Sequence, residues 1–149
     1  DLVLLDIQMP GLDGLQAAIL DVKLQHLDQW TDHRISIANE YLMRLNDLED
    51  LVLPVRKKWA KQVYHLFVVR HPQRDKFIDR LKCSGMQVGV HYPIALPKLS
   101  AFKYLGQSSE NGNSWMNDKT ILSLPIGDSM SKADVHTSIS LVVNELKLL

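Results

Sequence analysis

The side chains able to do chemistry are few and scattered. His91 and Tyr92 stand side by side before Pro93, so one turn carries an imidazole and a phenol hydroxyl, both able to hydrogen-bond oxygens. His26 and His33 lie seven apart, on one face of a helix. Without an acidic or thiolate partner they make a poor metal site, and a helix-surface or interface role is expected. Cys83 precedes Ser84-Gly85 with no base beside it and reads as a structural cysteine. The run Arg56-Lys57-Lys58-Trp59-Ala60-Lys61 is basic enough to meet an anion. In a chain whose charges otherwise balance, a solvated loop is the expectation. No P-loop, Gly-x-Ser-x-Gly elbow or Gly-x-Gly-x-x-Gly fingerprint occurs.

The composition bounds what can position these residues. The chain has 149 residues, 46% hydrophobic and 23% charged, enough for one domain with a core. Seventeen basic against seventeen acidic side chains gives no net charge, which argues against general nucleic-acid binding. No apolar run approaches the ~20 residues of a membrane span. The amino end lacks the basic and apolar regions of a signal peptide, and the single cysteine forms no internal disulfide, so a cytoplasmic setting is expected. The chain begins with Asp1 rather than Met, so either a processed start or a chain that begins partway through something, a fragment or a fusion, is expected.

Leu2–Leu5 reads as a short buried strand, followed by a Pro- and Gly-marked loop. From Leu15, the positions Leu20, Leu24, Leu27, Thr31, Ile35, Ala38, Leu42 and Leu45 follow helical spacing with no Pro or Gly before Pro54. They predict one helix over residues 15–46, roughly 48 Å long. A compact chain of this size has a radius of gyration of about 15 Å. Such a helix needs a kink, a second domain or a partner subunit. Strands are expected at 51–53, 63–69, 86–90 and 121–124, helices at 73–84 and 115–120, and a helical turn at 98–105. Ser131 and Asp134 suggest a capping box opening a last helix, with Val135, Ile139, Val142, Leu146 and Leu149 on one face. The element order gives an α+β fold: a small, mainly antiparallel sheet with packed helices and a long N-terminal helix.

Four stretches carry a resemblance. Leu15-Gln-Ala-Ala-Ile-Leu20, Tyr64-His-Leu-Phe-Val68, Gly89-Val-His-Tyr-Pro93 and Leu122-Ser-Leu-Pro125 resemble, in order and spacing, the C-terminal part of the DegT/StrS-type sugar aminotransferases. The run His91-Tyr92-Pro93-Ile94-Ala95-Leu96-Pro97, with Ala101 and Tyr104-Leu105-Gly106, is similar to members that aminate a keto-deoxy sugar on dTDP. The resemblance implies the small domain of the aspartate aminotransferase fold over residues 15–149, with 15–46 as an interdomain helix. It implies pyridoxal phosphate (PLP) as cofactor, an amino-acid donor, a nucleotide-linked keto sugar as substrate, and a homodimer or a missing large domain. His91 and Tyr92 are the implied substrate contacts. The family's Schiff-base lysine lies upstream. No lysine here, Lys23 and Lys98 included, sits in its Ser-Phe…Lys…Gly-Glu-Gly-Gly context, so no catalytic residue is assigned and a chain inactive alone is expected.

Residues 1–14, Asp1-Leu-Val-Leu-Leu-Asp6-Ile-Gln-Met-Pro10-Gly-Leu-Asp-Gly14, resemble instead the phosphoacceptor strand and loop of response-regulator receiver domains. The resemblance makes Asp6 the phosphoacceptor. Phosphoryl transfer would need Mg²⁺ and an acidic pair from an earlier strand, so a leftover strand is the expectation. A second possibility for the whole chain is a non-catalytic interaction domain, or an inert fusion product, that docks a partner through the long helix.

Overall fold

The computed structural model describes residues 13–107 and 112–149. The expected strand at Leu2–Leu5 and the candidate phosphoacceptor Asp6 lie outside the described residues, as does part of the polar loop after Leu105.

The apolar stripe beginning near Leu15 folds into two helices, not one. Helix α1 (Asp13–Leu24) and helix α2 (Leu27–Leu45) are separated at Gln25 and His26. The His26 N–H donates to the Lys23 carbonyl at 3.0 Å, a tight three-residue closure, and the Trp30 N–H resumes the four-residue pattern on the His26 carbonyl. The His26 and Trp30 rings stack one turn apart, 5.6 Å between centroids. A continuous helix over 15–46 is thus corrected to a helix interrupted without Pro or Gly, which is why no breaker residue signalled it. The two halves differ in environment. Ile37, Ala38, Tyr41 and Leu45 are buried, whereas Leu20, Leu24 and Leu27 are 51%, 60% and 50% exposed.

The sheet is antiparallel and very small. Strand β1 (Phe67–Arg70) pairs with strand β2 (Ile121–Leu124), Phe67 opposite Leu124 and Arg70 opposite Ile121. Phe67 and Val69 are buried while Arg70 is exposed, the alternation a half-covered strand requires. The other two expected strands are present only as single bridges, Val52 to Arg70 and Gly89 to Ser123, both antiparallel. The spatial order is therefore Val52, β1, β2, Gly89. The expected strand at 63–69 begins late because Tyr64 adopts φ +52°, a left-handed conformation that interrupts extended pairing.

Helix α3 (Arg74–Cys83) buries Phe77, Ile78 and Leu81 and ends at Gly85, whose φ of +86° suits a residue without Cβ. Two 3₁₀ turns, Leu96–Lys98 and Ser100–Leu105, replace the expected helical turn. The short helix α4 (Asn113–Asn117) then leads into β2. Helix α5 (Lys132–Leu146) opens with the expected capping box: the Ser131 hydroxyl accepts from the Asp134 N–H, and the Asp134 carboxylate accepts from the Ser131 N–H. Helix α5 buries Val135, Ile139 and Val142 against α2 and α3. Leu149 ends up 37% exposed, outside the face expected for it. The Tyr41 and Phe67 rings meet at 4.9 Å in the centre of the core, and the Tyr41 hydroxyl donates to the Pro125 carbonyl at 2.8 Å.

Candidate functional site

His91 and Tyr92 follow directly from the Gly89 bridge to β2. Their peptide bond is cis, and their rings meet edge to face at 5.9 Å. The His91 ring folds back over Gly89, so that its Nδ1 lies 2.9 Å from Oγ of Ser123, the residue paired with Gly89. A Cβ on residue 89 would sit 2.7 Å from the imidazole Cε1, a distance no packed side chain tolerates. Gly89 is thus the gap that lets His91 reach the buried Ser123. His91 lines an open cleft of about 320 Å³ with Leu66, Gln87, Ser123 and Ile126. Tyr92, 74% exposed, lines a second, mostly apolar cavity of about 590 Å³ with Ile94, Leu96, Leu99, Asn117 and Asp118. The two expected contact residues are adjacent, and both are open to a ligand.

A buried ion pair holds the segment that follows them. The Lys98 ammonium lies 2.7 Å from the Asp118 carboxylate, with side chains only 19% and 5% exposed. The ammonium also donates to the Trp115 carbonyl at 2.6 Å and lies 4.9 Å from the Trp115 ring centre. Asp118 further accepts the Ala95 N–H at 3.0 Å. Burial alone would raise the Asp118 pKa. The hydrogen bonds from Lys98 and the Ala95 N–H, with the Lys98 and Lys119 charges, outweigh it and hold the carboxyl below its ordinary value. Arg74 donates to the Asp118 carbonyl at 3.0 Å, which ties the start of α3 to the same corner. On the other side, the Arg34 guanidinium donates to the Ile126 carbonyl at 3.3 Å and to Asp128 at 2.9 Å, bracing the cleft wall from α2. Neither Asp118 nor Arg34 announced itself in the sequence, because each acts across a long separation.

The other candidates lie outside the two cavities lined by His91 and Tyr92. His33 Nε2 donates to the Met130 carbonyl at 2.9 Å, and His26 sits at the break between α1 and α2. Among the described residues no His, Cys, Asp or Glu cluster could hold a metal. Trp59 is 86% exposed on its basic loop, and Cys83 is a free, exposed thiol. Among the described residues no helix is long and apolar enough to cross a membrane.

PLP requires an unprotonated amine facing a ring-sized site and a carboxylate for the pyridinium nitrogen. Lys98, the lysine held closest to a carboxylate, is committed as an ammonium to Asp118 and Trp115. Lys98 is thus held away from the role of a Schiff-base amine.

Short antiparallel strands wrapped by α2, α3 and α5 are an arrangement shared with solved PLP aminotransferases. The structure of Streptomyces venezuelae DesV in complex with a ketimine intermediate matches with a TM-score of 0.80 and 32% identity, over 89% of this chain and 36% of that one. The chain belongs to the DegT/DnrJ/EryC1/StrS aminotransferase family, whose pattern matches residues 10–143. It is 39% identical over 124 residues to the erythromycin biosynthesis sensory transduction protein EryC1 of Saccharopolyspora erythraea, covering 81% of this chain and 33% of that protein. It is 36% identical over 124 residues to the dTDP-3-amino-3,4,6-trideoxy-alpha-D-glucose transaminase of S. venezuelae, covering 81% and 32%. The chain spans about one third of the length of these curated relatives. The family match takes in residues 10–14, which the receiver resemblance had also claimed.

Proposed function

We propose that this chain is the substrate-facing C-terminal part of a nucleotide-sugar aminotransferase. In this reading His91 and Tyr92 contact a nucleotide-linked keto-deoxy sugar of the dTDP class. The PLP lysine and the pyridinium carboxylate come from polypeptide outside this sequence, and an amino-acid donor supplies the nitrogen. The observation that supports it is the exposed His91–Tyr92 pair, braced from behind by Ser123, Gly89 and the Lys98–Asp118 pair, within the region that matches the family. The chain alone does not transaminate. Incubation of the pure protein with PLP, borohydride reduction and peptide mapping checks this: no stoichiometric lysine adduct is expected, and an adduct at one lysine with turnover overturns the proposal.

A second reading has its own observation. Leu20, Leu24 and Leu27, with Ala17 and Trp30, line an open apolar hollow of about 530 Å³ on α1 and the start of α2. A face of this kind suits docking of a large domain or a second copy. Light scattering at high concentration tests self-association: a clean monomer counts against a second copy.

A further inference from the structure

We propose that Ser123 and Gly89 are positioning residues for His91, which together fix its tautomer and present Nε2–H as a hydrogen-bond donor to ligand oxygens. Ser123 is buried at 5% exposure between β1 and the Gly89 bridge, and its hydroxyl reaches His91 Nδ1 at 2.9 Å. Two proton arrangements satisfy that distance. If Nδ1 carried the proton and donated, the Ser123 hydroxyl hydrogen would have no protein acceptor among the described residues and would be left to solvent in the open cleft. If the hydroxyl donates, no hydrogen is orphaned, and the imidazole proton moves to Nε2. Only the second arrangement pairs the hydroxyl hydrogen within the protein, and it is the one the proposal adopts.

The outward consequence is chemical. A neutral imidazole with Nδ1 occupied offers Nε2–H alone, a donor suited to phosphate or sugar oxygens rather than a base that takes a proton from them. Gly89 completes the device because a Cβ there, 2.7 Å from Cε1, would push the ring off Ser123. The functional meaning rests on the proposed contact between His91 and the nucleotide sugar; the tautomer itself does not.

The test reads the full chain without ligand. Long-range ¹H–¹⁵N correlation spectra at about pH 8 report which His91 nitrogen carries the proton. A single Nε2–H form is expected in the wild type. Ser123→Ala is expected to lose that single-form signature, and Gly89→Ala to lose it with the hydroxyl still present. An Nδ1–H form in the wild type overturns the proposal, as does a folded Ser123→Ala whose His91 signals are unchanged. Should Ser123→Ala fail to fold, the wild-type tautomer and Gly89→Ala still decide. Adding dTDP separates the two ideas. A fixed Nε2–H that ignores dTDP upholds the positioning role and speaks against His91 as the ligand contact.

Discussion

Lys98 and Asp118 meet at 2.7 Å behind the segment that carries Tyr92, and the same carboxylate accepts the Ala95 N–H. One buried acid thereby holds a side chain and a backbone group of a loop that has no strand or long helix of its own. The cavity beside Tyr92 takes its shape from this anchor, since Ile94, Leu96 and Leu99 lie on the tethered stretch.

Asp118→Asn is expected to leave the ammonium without its counter-charge. Removing one partner of a buried pair costs about 3 kcal/mol, and residues 92–105 should become sensitive to limited proteolysis before the rest of the chain. The pH dependence has a definite sign. The folded pKa of Asp118 lies below its ordinary value of 3.8, so its stabilisation is present above that value and is lost as pH falls through the lower folded value. Thermal melts from pH 7 down to 3 should show the wild type and Asp118→Asn converging only at the acid end. A constant difference across that range contradicts the ion-pair account.

The capping box of α5 gives a more local expectation. The Ser131 hydroxyl and N–H both bond Asp134, and these bonds hold its carboxyl below the ordinary value. Ser131→Ala removes the side-chain cap and should cost about 1 kcal/mol, read as a lower urea midpoint with an unchanged slope. Helix α5 packs against both α2 and α3, so the loss should appear in the global transition rather than as fraying of one end.

How much of this was readable beforehand depended on range. The capping box at Ser131 and Asp134 is a local pattern, and the sequence carried it whole. The His91–Tyr92 turn was legible through its motif. A kink was one of the ways to accommodate so long a helix, but its place at His26 was not legible, because it arises without Pro or Gly. The reduction of two strands to single bridges at Val52 and Gly89 was not legible either, since pairing length depends on distant partners such as Arg70 and Ser123. Ser123 and Asp118 work across 32 and 23 residues, to His91 and Ala95 respectively, distances at which no periodicity speaks.

The two ends of the apolar stripe should respond oppositely to substitution. Leu45 is fully buried, and Leu45→Ala should cost about 2–5 kcal/mol. Leu24 is 60% exposed, and Leu24→Asp should shift stability by no more than about 0.5 kcal/mol. Equilibrium unfolding of both variants checks the contrast. A large loss in Leu24→Asp, measured on a chain that light scattering shows to be monomeric, would mean that α1 packs onto its own fold.

Two buried tyrosines provide the sharpest comparison. The Tyr41 hydroxyl donates to the Pro125 carbonyl, while the Tyr64 hydroxyl is buried with no partner among the described residues. Burial pushes the Tyr41 phenol above its ordinary pKa, partly offset by a hydrogen bond with Ser138, so its proton stays in place across the neutral range. Tyr41→Phe should therefore lose a net hydrogen bond, about 1 kcal/mol. Tyr64→Phe removes an oxygen that gains nothing in the fold and should be neutral or stabilising by about 1 kcal/mol, a rise in Tm of roughly 2–4 °C at this chain length. Both substitutions keep the ring, its packing on Phe67 and the volume of the core. The sign of the difference thus isolates the hydroxyl, and a Tyr64→Phe loss as large as that of Tyr41→Phe would show that the Tyr64 hydroxyl is satisfied in solution.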